Sequence, residues 1–363
     1  MIIKNNCLKI DDLQVSVPII QGGMGIGISG ANLAAAVAEE GAVGVISSVG
    51  LGLFCKDSAF DYRTANKEML KREIRRAKEM TKGILGVNIM AVVSDFEDLV
   101  KVAVNEKIDL VIVGGGLPLK NPLKSFGKIK TKILLKISSA RAANLLFKYW
   151  DKNYNNVPDG VVVEGPLAGG HLGFKPEGIN DPENKLEILV PDVIKAVIPF
   201  RNKFKKDIPV IAAGGIYTGA DMCKFIKMGA GAVKMATRFV ATYECDASEE
   251  FKNIYVNCKK EDIGIIKSPV GLPGRAILND FTREIAAGHK KPFTCLWKCL
   301  KTCDYKVSPY CISMALVNAR NGNLNDGFAF AGANAYLVDK IVSVKELIKS
   351  IMQEYNAACA MQF

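Results

Sequence analysis

The sequence predicts an α/β chain of the (β/α)8 TIM-barrel class with a C-terminal insertion or cap region. Eight short apolar runs, at residues 17–21, 43–46, 84–88, 110–113, 132–137, 160–163, 210–213 and 232–235, alternate with segments of helical periodicity. All of these runs but 43–46 end at or beside Gly, Asn, Lys or Glu, the residue types expected where strand ends carry functional loops. A faint internal echo supports repeated βα units: EEGAVGVIS (39–47) and KMGAGAVKM (227–235) both pass from a helix end through Gly-Ala into a strand.

Taken in order, the first strand at 17–21 runs into the glycine-rich loop QGGMGIGISG, a helix at 32–40 and the second strand. The loop invites comparison with a dinucleotide fingerprint, but the GxGxxG match is poor and no acidic residue closes the second strand. Helices at 63–82, 96–106 and 140–150 then separate the strands at 84–88, 110–113 and 132–137, with the loop GGGLPLKNP after the fourth strand. The sixth strand, at 160–163, leads into Glu164 and the turn GPLAGGHLGF. The seventh ends in Ala213-Gly214-Gly215 and the eighth in Ala236-Thr237-Arg238. Regular alternation decays after Thr237. Residues 249–258 suit the last barrel helix, and 261–325 carry scattered Pro, Gly and Cys. The expected organisation is therefore a barrel over 1–245, a cap over 246–325, and a tail at 326–363, with a helix at 344–355, packed back on the barrel.

Composition bounds the class. The chain has 363 residues, 49% hydrophobic and 23% charged, which excludes a disordered or fibrous chain. No run of eighteen apolar residues and no leader-like N-terminus is evident, so a soluble, cytoplasmic chain is expected. The net charge of +11 is concentrated at 67–82, 120–132 and 201–206. Without interleaved aromatics these basic runs read as solvated faces, and neither nucleic acid nor membrane is an expected partner. The ten cysteines are expected to be mostly reduced thiols, and disulfides are not expected. Cys295, Cys299 and Cys303 repeat every four residues ahead of Cys311. On a helix that spacing lines thiols along one face instead of around an ion, so buried structural thiols and no metal are expected.

Chemistry gathers at the strand ends. His171, one of two histidines, sits among Gly165, Gly169 and Gly170, where a backbone can approach a flat ligand and an imidazole can titrate near neutral pH. The turns after strands seven and eight, with Thr218, Gly219 and Asp221 opening a helix, have the order of a barrel phosphate cradle. Met24, Asn88, Lys136 and Glu164 punctuate strand ends where a flat ring can lie. Lys136 interrupts the apolar run KILLKIS, which calls for an anionic partner.

Three stretches together, IIQGGMGIGIS, VEGPLAGGHLG and PVIAAGGIYTGADMCKFIKMGAGAVKMATRF, resemble the flavin-dependent barrel family of nitronate monooxygenases, formerly 2-nitropropane dioxygenases. That family includes flavin-type enoyl-acyl-carrier-protein reductases and a group of NADH:quinone reductases. The resemblance covers residues 13–245 and implies non-covalent FMN at the barrel mouth. It places Gly214, Gly215, Ala236 and Thr237 at the phosphate and Gly22, Gly23, Met24, Asn88 and Lys136 around the ring. Gly169, Gly170 and the catalytic His171 face the substrate. Ala236 replaces the family's usual glycine, and the segment after 261 is longer and richer in cysteine than the family pattern.

The implied activity is oxidation of alkyl nitronates or nitroalkanes by dioxygen to a carbonyl compound and nitrite. The alternative is NAD(P)H-dependent reduction of an enoyl thioester or a quinone on the same FMN barrel. From another class comes a non-redox phosphate-binding barrel. The expected partners are a small-molecule substrate with dioxygen or NAD(P)H as co-substrate, and a homodimer is left open.

Overall fold

The computed structural model describes residues 7–56, 61–295 and 297–361; the ends of the expected barrel and tail, 1–6 and 362–363, lie outside them. A hairpin comes first, β1 (Leu8–Ile10) and β2 (Leu13–Val15). The barrel strands are β3 (Ile19–Gln21), β4 (Gly44–Ser47), β5 (Leu85–Met90), β6 (Leu110–Gly114), β7 (Lys132–Ile137) and β8 (Gly160–Glu164). After the short β9 (Gly170–His171), β10 (Val210–Ala213) and β11 (Ala232–Met235) complete the set. These eight barrel strands form one parallel sheet in the order β3-β11-β10-β8-β7-β6-β5-β4. The eight apolar runs read from the sequence are these strands, shifted at their ends by a few residues.

The seam between β3 and β4 is the thinnest part of the cylinder. One parallel bridge, Ile20 to Val43, joins the edges. The Gln21 N–H donates to Val43 O at 2.9 Å and the Val43 N–H to Ile19 O at 3.0 Å. The next rung comes from a side chain: the Val45 N–H donates to Gln21 Oε1 at 2.8 Å. Gln21 is wholly buried, so its amide stands in for a backbone carbonyl that the ladder lacks.

Strand alternation divides the core in two. Ile20, Val45, Leu110, Ile112, Leu134, Val162, Ile211 and Ala232 point inward and form one cluster with Leu8, Ile10 and Val15 of the hairpin, which plugs the N-terminal end. Their neighbours, among them Ile46, Val87, Val111, Leu135, Val163 and Val233, point outward against the helices. Each such fully buried aliphatic contributes roughly 1.5–3 kcal/mol.

The outer ring is α1 (Ala31–Glu39), α2 (Tyr62–Met80), α3 (Phe96–Asn105), α4 (Ala140–Tyr154), α5 (Leu186–Phe204) and α6 (Gly219–Lys227). After the single turn α7 (Thr237–Val240) comes α8 (Glu249–Val256), the segment expected to be the last barrel helix. It packs instead in a second cluster with Ile28, Val240, Ile277 and Val338. The place between α6 and α1 is filled by the C-terminal helix α11 (Val344–Ala360), whose largest helix contact is with α6. The chain thus inserts about a hundred residues between its eighth strand and the helix that covers it. Cys223 on α6 and Cys359 on α11 are joined in a disulfide, against the expectation of reduced thiols. Sequence separation of 136 residues hid the pairing, which follows from α11 taking the eighth position.

The inserted segment is more ordered than its composition suggests. It holds β12 (Ile263–Lys267), β13 (Pro273–Ile277), α9 (Asp280–Ala286), α10 (Ile312–Arg320) and β14 (Ala329–Phe330). β13 pairs antiparallel with β12, β14 and also β9, so the turn carrying His171 is an edge strand of the inserted sheet. Among the described residues no helix is long and apolar enough to cross a membrane.

Replacing Gln21 by Leu keeps the volume but orphans the Val45 N–H. A loss of about 1–3 kcal/mol is expected, read as a lower urea midpoint with an unchanged slope.

Candidate active site

Alternation continues one step above the apolar interior. Two residues beyond Leu134, Val162 and Ala232 along their strands stand Lys136, Glu164 and Lys234, which therefore also face the barrel axis. Here the interior becomes polar and opens into a cavity of about 1090 Å³ at the C-terminal ends of the strands. Most of the candidate residues read from the sequence line this cavity: Gly22, Gly23, Met24, Asn88, Lys136, Glu164, Gly169, Gly170, His171, Gly214, Gly215, Ala236 and Thr237.

The first glycine loop forms one wall. The Gly22 N–H donates to Met235 O at 2.7 Å, which pulls the loop against β11. A Cβ on Gly22 would sit 2.8 Å from Cβ of Ala236, so glycine is required here because Ala236 already fills the space. Met24 and Ser29 close the loop on itself, the Met24 N–H reaching Ser29 Oγ at 2.8 Å. Beyond it, Asp246 Oδ2 accepts from the Gly30 N–H at 2.8 Å and Glu73 Oε2 from Ala31 at 2.7 Å, two carboxylates that cap α1 from distant parts of the chain.

The turn after β10 is the second wall. Gly214 and Gly215 have φ of 96° and 81°, two successive left-handed positions that favour glycine. The N–H groups of Gly215 and Ile216 have no hydrogen-bond partner among the described residues. The N-terminus of α6, counted on from the sequence, is sealed instead: Thr218 and Asp221 form a capping box and the Gly219 N–H donates to Glu354 Oε2 at 2.8 Å. Arg238 also turns away, its guanidinium 4.7 Å from the Tyr217 ring. A strip that the sequence did not suggest completes this wall. The Gly332 N–H donates to Thr237 Oγ1 at 3.1 Å and Asn334 Nδ2 to Gly215 O at 2.7 Å.

Charge is concentrated on the floor. Lys136 Nζ donates to both oxygens of Glu164, at 3.0 and 2.8 Å, so the anionic partner its position demanded is already in the protein. Lys234 stands beside this pair. His171 hangs from the third side, held through the pairing of β9 with β13 and by a 2.7 Å hydrogen bond between Nε2 and Ser268 Oγ. Its ring meets Phe330 edge-on, centroids 4.9 Å apart. Burial, with the Lys136 charge as a lesser cause, pushes the imidazole down to about 4, so His171 is neutral at physiological pH and does not titrate near 7 as its loop position suggested. Ser268, Phe330 and Lys234 were not singled out in the sequence.

The roof comes from the cysteine-rich segment, whose described residues between α9 and α10 are not helical. The Ser94 N–H donates to Cys299 O at 3.0 Å and the Lys301 N–H to Val92 O at 2.9 Å, which brings Leu300 and Thr302 over the cavity beside Ile312 and Leu316 of α10. Burial pushes the Cys299 thiol up to about 11. Among the described residues no three His, Cys, Asp or Glu side chains are placed to hold a metal ion.

The family model described as nitronate monooxygenase matches residues 6–101 and 90–354. A probable nitronate monooxygenase from Staphylococcus aureus (strain MSSA476) is 27% identical over 314 residues, with 76% of this chain and 79% of that protein covered. A (3aS,4S,5R,7aS)-5-hydroxy-7a-methyl-1-oxo-octahydro-1H-indene-4-carboxyl-CoA dehydrogenase from Rhodococcus jostii (strain RHA1) is 28% identical over 271 residues. That match takes in 75% of this chain and 65% of the relative's length. Among solved structures, FabK from Thermotoga maritima is similar with a TM-score of 0.74 at 29% identity, over 95% of this chain and 94% of FabK.

The depressed imidazole has a consequence for stability. An unfolded histidine titrates near about 6.5, so between there and about 4 the unfolded chain binds a proton that the folded one does not. Stability should therefore fall as pH drops through that window. Urea unfolding at pH 7 and pH 5 is expected to show a smaller loss for His171→Gln than for the unaltered protein.

Proposed function

This chain belongs to the nitronate monooxygenase family of FMN-dependent oxidoreductases, and we propose that its substrate is an alkyl nitronate, oxidised with dioxygen to a carbonyl compound and nitrite. The observation that carries this choice is the neutral His171 above a floor with an unpaired ammonium. A nitroalkane must lose a carbon-bound proton before it can be oxidised, and an imidazole titrating near 4 is a poor base for that. A nitronate arrives already deprotonated and needs only donors and positive potential.

The residues fit FMN. The unpartnered N–H groups of Gly215 and Ile216, on a turn where two glycines have positive φ, suit a phosphate, and Thr237 lines the same cavity. Gly22, Gly23 and Met24 leave a backbone wall against which a flat ring can lie, with Asn88 beside Gly23. The cavity, at about 1090 Å³, holds more than a mononucleotide. Bound there, FMN supplies the electron acceptor and, once reduced, the reductant of dioxygen.

Around it the chain orients and excludes. Ser268 fixes one ring nitrogen of His171 and leaves Nδ1, which has no partner among the described residues, to meet the substrate. Phe330, Leu300, Ile312 and Leu316 keep water from the reacting carbon. The Lys136 and Glu164 pair holds its own charges in place and adds no net charge to the floor.

A second substrate class is favoured by one feature. The apolar roof extends well beyond what a small nitronate covers, and FabK is similar over nearly the whole chain. A thioester with an apolar acyl group, reduced at the expense of NAD(P)H, would fill that space.

Purified protein mixed with a secondary alkyl nitronate in air should release nitrite, and His171→Ala should lower kcat/KM on the order of 100-fold. Absence of nitrite together with rapid anaerobic bleaching of the flavin by NADH would move the assignment to the second class.

A further inference from the structure

Lys234 is the one charged group on the cavity floor whose partner is missing from the protein. It lies on β11 between Ala213 of β10 and Ile20 of β3, in register with both. Alternation points it to the barrel axis, because Ala232 is inside and Val233 outside. No hydrogen bond or ion pair to its Nζ is formed among the described residues, whereas both oxygens of Glu164 are taken by Lys136. It is half-buried and lines the cavity, through which it meets solvent. Its neighbours act in opposite senses. Burial and the charge of Lys136 push its ammonium down to about 8, and Glu164 pulls it back.

The other titratable groups lining this cavity are His171, Tyr217 and Tyr255 inside and Lys175 and Glu177 at the mouth. His171 is neutral and both phenols are pushed up by burial, so none offsets Lys234. An enclosed ammonium without a counterion is costly, and the cost is recovered when a negative group arrives. The phosphate is served elsewhere, by the Gly214–Ile216 turn at the rim. Lys234 sits lower on its strand than Ala236 and reaches inward toward the Lys136 and Glu164 pair, under the open centre of the barrel.

On the reading that this cavity holds FMN, we propose that Lys234 is the cation that offsets the negative charge the flavin ring acquires on reduction. Two electrons and one proton entering the ring leave it with one added negative charge. Where Lys234 is neutral in the oxidised enzyme, it takes a second proton from solvent as that charge develops. Reduction is then a two-electron, two-proton event above about pH 8 and a two-electron, one-proton event once Lys234 is removed.

The test is a reductive titration of the FMN-loaded protein with dithionite against a reference dye, for the unaltered chain and for Lys234→Gln, Lys234→Met and Lys234→Arg. The Gln and Met variants should lower the equilibrium constant for flavin reduction by on the order of ten- to a hundred-fold at pH 7, and Arg should restore most of it. Above pH 8 the midpoint potential of the unaltered protein should fall with pH about twice as steeply as that of Lys234→Met. FMN-loaded variants with unchanged equilibrium constant and unchanged pH slope overturn this inference and leave the cofactor assignment standing. So does a ten-fold loss of FMN affinity with no change in potential, which would put Lys234 on the phosphate. An unaltered chain that takes up no FMN overturns the cofactor assignment and this inference with it.

Discussion

The two-residue alternation of eight parallel strands is the constraint on which this molecule depends. It sends Leu134, Val162 and Ala232 into a dry interior and, one step further along the same strands, delivers Lys136, Glu164 and Lys234 to the same axis. A register slip of one residue in any of these strands would turn the charged groups into the helix layer and the apolar ones into the cavity. The polar floor is thus tied to the packing beneath it. Closure of the cylinder at Gln21 holds the register at the thinnest point, where one side-chain amide completes the ladder between β3 and β4.

The segment inserted after the eighth strand builds the site as much as it covers it. β13 takes β9 as an edge strand, Ser268 beside it holds the imidazole, and Phe330 on β14 packs against the ring. The strip from Ala331 to Asn334 then reaches across to Thr237 and Gly215. The position of His171 consequently depends on contacts made a hundred residues later in the chain. Its neutrality comes from burial, and Ser268 and Phe330 of the inserted segment are among the residues packed on the ring.

What the sequence disclosed follows the range of the interactions involved. The eight strands and the outlines of most helices were legible because periodicity and turn residues are local properties, and the Gly214-Gly215 turn was legible because positive φ selects for glycine. Most of the cavity-lining residues singled out are of this kind, glycine or polar residues at or just beyond the end of an apolar run, with Met24 and Ala236 the exceptions. Long-range pairing left no such mark. Nothing near residue 249 or residue 344 says which helix covers the eighth strand, and the link between Cys223 and Cys359 depends on that choice. Lys234 escaped notice for a different reason. It lies within a four-residue strand, where a single lysine looks like an outward-facing position until the register shows it pointing in. The expectation of a near-neutral His171 failed because the residues that enclose it are remote in sequence.

The floor also explains why two lysines on one axis are tolerable. Lys136 is anchored at bonding distance to both oxygens of Glu164, so the three charges resolve into a neutral pair and one remaining cation instead of two competing ones. Were Lys234 to share the glutamate equally, either lysine could lose its proton first, and the positive potential at the centre of the cavity would be diffuse. With Glu164 committed to Lys136, the potential is concentrated at a single Nζ whose protonation answers to whatever charge lies above it. A pocket arranged in this way distinguishes its visitors by charge before shape. An anion entering beneath the apolar roof meets one cation and a neutral imidazole, and it leaves no buried carboxylate unpaired when it departs.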